Sequence, residues 1–471
     1  MDDVAAVAPV IDLRDLDLDQ PRRVHIVGVG GAGMSAIALF LARMGHWVSG
    51  SDLKELPVLA RLRAAGVTVY IGHDPAVVTE DLDGVVYSTA IPASNIELGA
   101  ARERGVAVLH RAAMLRAIVA SRRSIAVAGS HGKTTTSSML TLVLRAAGLD
   151  PSFVIGGDLN EVGTNAGYGA GEWLVVEADE SDGTFLQLAP DAAIVTNVEP
   201  DHLDHYGGFE SLVAAFERFV DAVPGPVVAC ADDPIAKRLA PRDGRGRTYG
   251  ESADADYRFV DYRSGRGGSA FTLVGPDGAL GDIELPLGVR NAVNATGAAA
   301  MALELGVEFT AVQHALRSFG GVARRFQFRG MSNGVTFVDD YAHLPGEVAA
   351  AIDTAREGAW RRVIVVFQPH RYSRTSALWR DFADAFEGAD TVVLTDVYAA
   401  GERPIAGVSG RLLVRAVLDR HPAAPVSYLP RRADLLDVPR RVARPGDLVL
   451  TLGAGDLTTL PDEWLARDGE S

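Results

Sequence analysis

The sequence predicts an α/β protein of three domains: an N-terminal Rossmann-like domain, a central P-loop α/β domain and a C-terminal Rossmann-like α/β domain. Three observations predict it. Short runs of β-branched and small apolar residues alternate with helical stretches along most of the chain, the rhythm of parallel strands covered by helices. Two glycine-rich loops, Gly28-x-Gly30-x-x-Gly33 and Gly129 to Thr134, each stand between such a run and a helix. Finally, 471 residues exceed one ordinary core, and about 150 residues per domain gives three.

Composition narrows the function. Hydrophobic residues at 48% with charged ones at 23% describe a soluble globular chain, and no apolar run is long enough to cross a bilayer. The opening MDDVAAVAPVIDLRDLDLDQ carries acids where a secretory signal carries bases, so a cytoplasmic location is expected. The single cysteine, Cys230, sits in an apolar VVAC run, cannot form an internal disulfide and reads as core. A net charge of −16 argues against nucleic-acid and anionic-membrane partners. Anionic small molecules remain, held by local clusters of bases, amides and metal; no obligate protein partner is inferred.

Residues 1–20 alternate Asp with Leu and Val without a period and read as a flexible acidic leader. From Arg23 the chain gives a strand, the Gly28–Gly33 loop, an apolar helix and a second strand ending at Asp52. That is the dinucleotide fingerprint: glycines for close approach to a diphosphate, and an acid about twenty residues on for a ribose. It leaves the attached nucleoside open. A helix over Pro57–Ala65, strands at Val67–Ile71 and Val85–Ser88, a helix over Asn95–Arg104 and a strand at Ala107–Leu109 complete a first domain over 21–120.

The second domain, 121–321, opens on SIAVAGSHGKTTTSS. Ile125 to Ala128 form a buried strand and Thr135 to Leu144 a helix, with Gly129, Ser130, His131, Gly132, Lys133 and Thr134 between them. Val127 stands where the longer phosphate-loop pattern has its first glycine, so the loop fits a shorter form, G-x-x-G-K-T. Its glycines let backbone N–H groups turn inward, the helix N-terminus adds positive potential, Lys133 adds a full charge, and Thr134 offers a hydroxyl to Mg²⁺. Further strands fall at Trp173–Ala178, Ala192–Asn197 and Val227–Cys230, and the Gly- and Asp-rich stretch from Asp243 to Gly281 is expected to be antiparallel. Helices begin near Asn291 and after Phe309, and Gly320-Gly321 reads as a hinge. In the third domain, 322–471, strands at Val335–Asp339, Val363–Phe367, Val392–Thr395 and Leu448–Leu452 alternate with helices.

Polar clusters follow several of these strands. The acids of Glu177-Ala178-Asp179-Glu180-Ser181-Asp182 stand at a strand's carboxyl end, where α/β ligands bind, and Glu177 is the candidate to meet the loop's Mg²⁺. The next strand ends in NVEPDHLDH, where one histidine could ligate a second divalent ion. Asn291 and Asn294, three apart on one helix face, offer donors and acceptors to a base edge; a helix cap followed by a polar position is the plainer account. His370, Arg371 and Arg374 form a basic knot after a strand, suited to phosphate or carboxylate, with surface salt bridges as the plainer account.

Taken in order, GVGGAGMSAIA, GSHGKTTT, EADESDGTFL, TNVEPDHLDHYG, RNAVNA, RRF, DDYAH, FQPHRYSRT, DVYAAGE and GAGD resemble the Mur ligases of peptidoglycan synthesis, over essentially Arg23 to Asp456. Within that family the chain is most similar to the branch that adds L-alanine. The resemblance implies ATP-dependent amide formation. The lactyl carboxylate of UDP-N-acetylmuramate takes the γ-phosphoryl group as an acyl phosphate, which the amine of L-alanine displaces. It also implies ATP and Mg²⁺ as cofactors, UDP-N-acetylmuramate and L-alanine as small-molecule substrates, and a place in cell wall biogenesis, cell shape, division and the cell cycle.

Carried over by position, Lys133 would hold the β- and γ-phosphates, with Gly129 to Thr135 as the ATP loop. Thr134 and Glu177 would hold one Mg²⁺, and His202 with Glu177 a second. Asn291 and Asn294 would meet the adenine, Arg325 the phosphates and Asp340 the ribose. Gly30, Gly31, Ala32 and Gly33 would receive the UDP diphosphate, with Ser88 and His110 nearby, while His370, Arg371 and Arg374 would face the muramate and the alanine. Several related ligases carry a carbamylated lysine; this chain has no lysine between Lys133 and Lys237, which agrees with the alanine-adding branch. One departure stands out: Leu344 and Gly346 replace the His and Thr of the family's YAHHPTE or YGHHPTE.

Three rivals remain. A nicotinamide oxidoreductase would explain the first glycine loop and Asp52 but not GSHGKTTT; a sibling ligase would attach a preformed peptide to the same sugar nucleotide; a non-catalytic regulator would bind nucleotides and release no phosphate.

Overall fold

The computed structural model describes residues 17–469 except 182, 201–202, 266–267, 286–288 and 359. Residues 1–16 of the expected leader, and His202, therefore lie outside the described residues. The last part of that leader is not loose: Leu18 is only 6% exposed, and Arg22 Nε donates to the Asp17 carbonyl at 2.8 Å.

The chain divides into two compact units, one running to Val260 and adding Thr272–Gly281 and Val293–Leu316, the other made of Asp261–Phe271, Asp282–Ala292 and the chain from Arg317. The first sheet belongs to the first unit. Its strands are β1 (Arg23–Val27), β2 (Trp47–Asp52), β3 (Thr68–Ile71), β4 (Gly84–Tyr87) and β5 (Val108–His110), all parallel in the order β3-β2-β1-β4-β5. The order reverses beside β1, so the Gly28–Gly33 loop leaves the sheet at its switch point. A helix not expected from the sequence, Arg111–Ala120, follows β5, its start capped by the His110 ring, which accepts from Ala112 N–H.

The second sheet has ten strands: β6 (Arg123–Ala128), β7 (Ser152–Leu159), β8 (Thr164–Gly167), β9 (Trp173–Ala178), β10 (Ala192–Val195), β11 (Val227–Cys230), β12 (Gly246–Gly250), β13 (Tyr257–Gly265), β14 (Gly268–Gly275) and β15 (Gly278–Leu285). Their order is β15-β14-β13-β12-β11-β10-β6-β9-β7-β8. β6 is thus central, paired in parallel with β9 on one side and β10 on the other. Ile125 to Ala128 have no exposure, which is why this strand reads as an unbroken apolar run instead of an alternating one. The expectation of an antiparallel region from Asp243 fails at its start, because β12 pairs in parallel with both β11 and β13. Only farther on does a two-residue link, between β14 and β15, require antiparallel pairing.

The third sheet lies in the second unit. Its strands are β16 (Gln327–Ser332), β17 (Val335–Asp340), β18 (Val363–Phe367), β19 (Thr391–Leu394), β20 (Val426–Tyr428) and β21 (Leu448–Leu452), in the order β16-β17-β21-β18-β19-β20. All pair in parallel except β16, which runs antiparallel to β17 at the edge. Alternate residues feed two cores: Val338, Val365 and Leu450 pack on one face, Phe337, Val366 and Val449 on the other. Each such side chain, fully buried, contributes about 1.5–3 kcal/mol relative to exposure.

Candidate active site

The strand β6 ends where the backbone must turn sharply, and two glycines make that possible. Gly129 has φ +136° and Gly132 φ +83°, and a Cβ at Gly132 would stand 2.6 Å from Asn294 Oδ1. A Cβ at Gly129 would collide with Thr196 Oγ1. The residues just beyond β10 shape the loop: the Asn197 carbonyl accepts from Ser130 N–H at 3.1 Å, and Asn197 Oδ1 accepts from His131 N–H at 2.8 Å. Thr196 Oγ1 donates to the His131 carbonyl at 2.6 Å, and Ser130 Oγ accepts from Glu199 N–H at 2.9 Å. The helix Lys133–Ala146 then starts, its first-turn N–H groups lacking acceptors within the helix.

Four charged or hydroxyl side chains converge at this helix start: Lys133, Thr134, Glu177 and Glu180. Lys133 Nζ lies 2.8 Å from Glu180 Oε2 and donates to the carbonyls of Gly129 at 2.5 Å and Ser130 at 3.3 Å. Burial alone would lower the Lys133 pKa, but Glu180 and Glu177 outweigh it and hold the ammonium above its ordinary value. Burial lifts the Glu180 carboxyl above the usual carboxylate range, opposed by Lys133. Thr134 Oγ1 donates to Glu177 at 3.0 Å, and Gly156 N–H donates to the same carboxylate at 2.8 Å. A hydroxyl and a carboxylate about 3 Å apart form the hard-oxygen set that suits a magnesium ion, and the glycine cradle suits a phosphate. On both counts the residues fit a magnesium nucleotide.

In the first domain the loop after β1 is shaped from below by β2. The Ser51 carbonyl accepts from Gly28 N–H at 2.8 Å and Val29 N–H at 3.0 Å, and Asp52 Oδ2 accepts from Gly30 N–H at 2.9 Å. Asp52, the acid expected to meet a ribose, is thus turned onto the loop. A Cβ at Gly30 would stand 2.6 Å from Leu56 Cδ1, and one at Gly33 3.3 Å from the Arg111 guanidinium. Gly31 is exposed and forms the helix N-cap, and Ala32 begins the helix. Ser88 follows β4 and is half-buried, and His110 packs edge-on against Tyr87.

The second unit gathers the remaining candidates at the carboxyl ends of its strands. Arg374 donates to His370 Nδ1 at 3.1 Å, and His370 stacks on Tyr398 with ring centres 5.8 Å apart. Burial and Arg374 push the His370 pKa down to about 4. His343 meets His370 edge-on, and its Nδ1 lies 3.2 Å from Glu347; burial, partly offset by Glu347, lowers the His343 pKa. Arg371 takes φ +69° and donates its N–H to the Tyr398 carbonyl at 2.8 Å. Asp340 accepts the N–H groups of Phe326 and Ala342, each at 2.7 Å, and burial pushes its pKa up to about 6 against the pull of Arg325. Arg325 also lies over the Tyr341 ring, 5.6 Å from its centre. At the departure from the family pattern, Leu344 is the extended N-cap of the helix Pro345–Glu357, and a Cβ at Gly346 would meet nothing within 4 Å.

Of the sequence candidates in the first unit, the structure brings together Gly129 to Thr134, Glu177 and Asn294, and Thr135 is half-buried on the same helix as Lys133 and Thr134; Asn291, half-buried, falls on the stretch Asp282–Ala292 of the second unit. Sequence reasoning missed Glu180, the partner of Lys133, and the Thr196-Asn197 clamp. Both lay in runs already marked as strand ends, and the three-residue step from Glu177 to Glu180 was the available signal.

Three family models match the chain in succession: Mur ligase family, catalytic domain, over residues 23–123; Mur ligase middle domain over 127–302; and Mur ligase, glutamate ligase domain, over 324–455. Among curated relatives, the UDP-N-acetylmuramate–L-alanine ligase of Pelotomaculum thermopropionicum is 46% identical over 455 residues, covering 96% of this chain and 98% of its own. The protein of the same name from Rubrobacter xylanophilus is 48% identical, with 94% and 100% covered. Among solved structures, UDP-N-acetylmuramate-alanine ligase from Thermotoga maritima matches with a TM-score of 0.81 at 28% identity over 95% of this chain and 99% of that one. A murein peptide ligase from Psychrobacter arcticus, at 24% identity and a TM-score of 0.69 over 96% and 99%, shares the fold. With those models laid along it in order, and relatives near half identity spanning nearly all of it, the chain belongs to the Mur ligase family.

Proposed function

We propose that this chain is an ATP-dependent ligase that joins L-alanine to the lactyl carboxylate of UDP-N-acetylmuramate in peptidoglycan precursor synthesis. The observation that supports it most directly is the meeting of Lys133, Thr134 and Glu177 at one helix start, in a chain whose relatives of near half identity carry that activity in their names. ATP supplies the activating phosphoryl group, and Mg²⁺, when bound, neutralises phosphate charge.

The chain's own residues then have simple tasks. The loop amides and the Lys133 ammonium hold the outer phosphates and stabilise charge on the group in transit. Thr134 and Glu177 hold the metal, and His202 is assigned to a second one on the resemblance alone. Asn291 and Asn294 take the adenine, Arg325 the phosphates and Asp340 the ribose. Gly30 to Gly33, with Ser88 and His110, take the diphosphate of the sugar nucleotide. Because Arg374 donates to His370 Nδ1, a neutral His370 leaves Arg371 and Arg374 as the local positive charges for a carboxylate.

Phosphate release with each amino acceptor tests this reading. Release with UDP-N-acetylmuramate and free L-alanine supports it; release only with a preformed peptide assigns the chain to the sibling activity. No release with any acceptor, with nucleotide still bound, leaves a regulator. The oxidoreductase reading leaves GSHGKTTT and the third domain unexplained, and among the described residues no helix is long and apolar enough to cross a membrane.

A further inference from the structure

Beneath the first-domain loop lies a buried charged cluster with no part in the chemistry above. Glu97 lies in the first turn of the helix Ile96–Glu103 and has no exposure. Its Oε2 accepts from Ser51 Oγ at 2.6 Å and lies 3.1 Å from His73 Nδ1, and its Oε1 accepts from Asp74 N–H at 3.1 Å. His25, equally buried on β1, turns Nε2 toward Glu97 Oε2 at 3.6 Å, a ring nitrogen without a hydrogen-bond partner, while its Nδ1 meets Ser49 Oγ at 2.9 Å.

A buried carboxylate is costly, and packing alone never requires one. Here it ties together the chain segments that leave β1, β2 and β3. Ser51 is the link, since its hydroxyl donates to Glu97 while its carbonyl receives Gly28 and Val29, and its neighbour Asp52 receives Gly30 N–H. Asp74, two residues beyond Gly72, is held by the same carboxylate, and Gly72 N–H donates to the Asp52 carbonyl at 2.8 Å. Burial by itself would raise the Glu97 pKa, but the adjacent His25 ring and the hydrogen bonds from Ser51 Oγ and Asp74 N–H leave it below the ordinary value, so the anion is the form that does the tying.

We infer that Glu97 is a positioning residue for the first-domain loop, fixing through Ser51 the amides that receive the nucleoside diphosphate of the substrate. The inference rests on the assignment of that loop to the sugar nucleotide. Full-length Glu97→Gln and Ser51→Ala variants, titrated calorimetrically with UDP and separately with a non-hydrolysable ATP analogue, test it. Ser51→Ala removes one hydroxyl and keeps the test available if Glu97→Gln folds poorly. The expected result is UDP affinity weakened about tenfold in each variant and no further in the double variant, with ATP-analogue affinity within about twofold of wild type. In turnover, KM for the sugar nucleotide rises while kcat holds. Equal weakening of both ligands, or folded variants that bind UDP as wild type does, overturns the inference alone. Wild-type protein that binds the ATP analogue but not UDP overturns the loop's assignment and this inference with it.

Discussion

Replacing Lys133 by methionine removes the cation at the helix start and keeps its volume. If Lys133 served the phosphates alone, the change would cost activity and leave the fold intact. The structure predicts otherwise. Glu180 is 1% exposed and Lys133 is its ion-pair partner, so the variant buries an uncompensated carboxylate, a loss of about 3–5 kcal/mol. The carboxyl can escape by taking a proton. Its folded pKa, already raised, rises further without Lys133, so the folded state binds more protons than the unfolded chain above the unfolded value of 4.5. Stability therefore falls as pH rises from there, by at most about 1.4 kcal/mol per unit. Adding Glu180→Gln removes the charge and recovers most of the loss, while turnover stays absent in both. Hydrogen exchange of the amides of β6 and β9 isolates the central sheet from the rest of the chain. A single variant within about 1 kcal/mol of wild type at pH 8, or a deficit independent of pH, would refute the reasoning.

Gly132→Ala forces a Cβ into a left-handed position against Asn294; about 1–2 kcal/mol of strain plus about 1 kcal/mol of lost Asn294 contact gives about 2–3 kcal/mol, and Asn294→Ala in the same chain relieves the second part, so strictly additive losses count against the clash. Thr134→Ala and Glu177→Gln each raise the Mg²⁺ concentration for half-maximal turnover at least about tenfold; an unchanged requirement in both separates this pair from the metal. In proton NMR, the His370 ring stays neutral from pH 8 to below 6 and titrates near 4. Because that pKa lies below the unfolded value of 6.5, the group's contribution to stability is full above pH 6.5 and lost as pH falls toward 4. A ring that titrates at its ordinary value removes Arg374 and burial as the controlling influences.

The outline of the fold was legible wherever a strand is buried on both faces. Trp173–Ala178, Val227–Cys230, Val363–Phe367 and Leu448–Leu452 have the bounds expected, because a parallel strand between helices must be apolar throughout. Edges were not legible: β8, β16 and β20 carry glycines, polar residues or few residues, and a strand paired on one side needs no apolar run; β7, paired on both sides next to the edge, was hidden by Gly156 and Gly157. The stretch from Asp243 misled because its composition resembles hairpins, while β12 is held in parallel between two neighbours. At the site, the loop announced itself through glycines and lysine. The groups that give it shape did not, since Thr196, Asn197 and Glu180 act from other strand ends, and local sequence does not state which ends adjoin.

That arrangement around β6 has a consequence for how a guest is received. Thr196 and Asn197 are the first residues beyond β10, which runs in register with β6, so the curl of the loop is inherited from the sheet. An arriving anion meets a loop whose curl is already set by the bonds of Ser130 and His131 to Asn197, and little of the protein's own freedom is surrendered on contact. Slow deuterium uptake at Ser130 and His131 in the empty protein would be its signature.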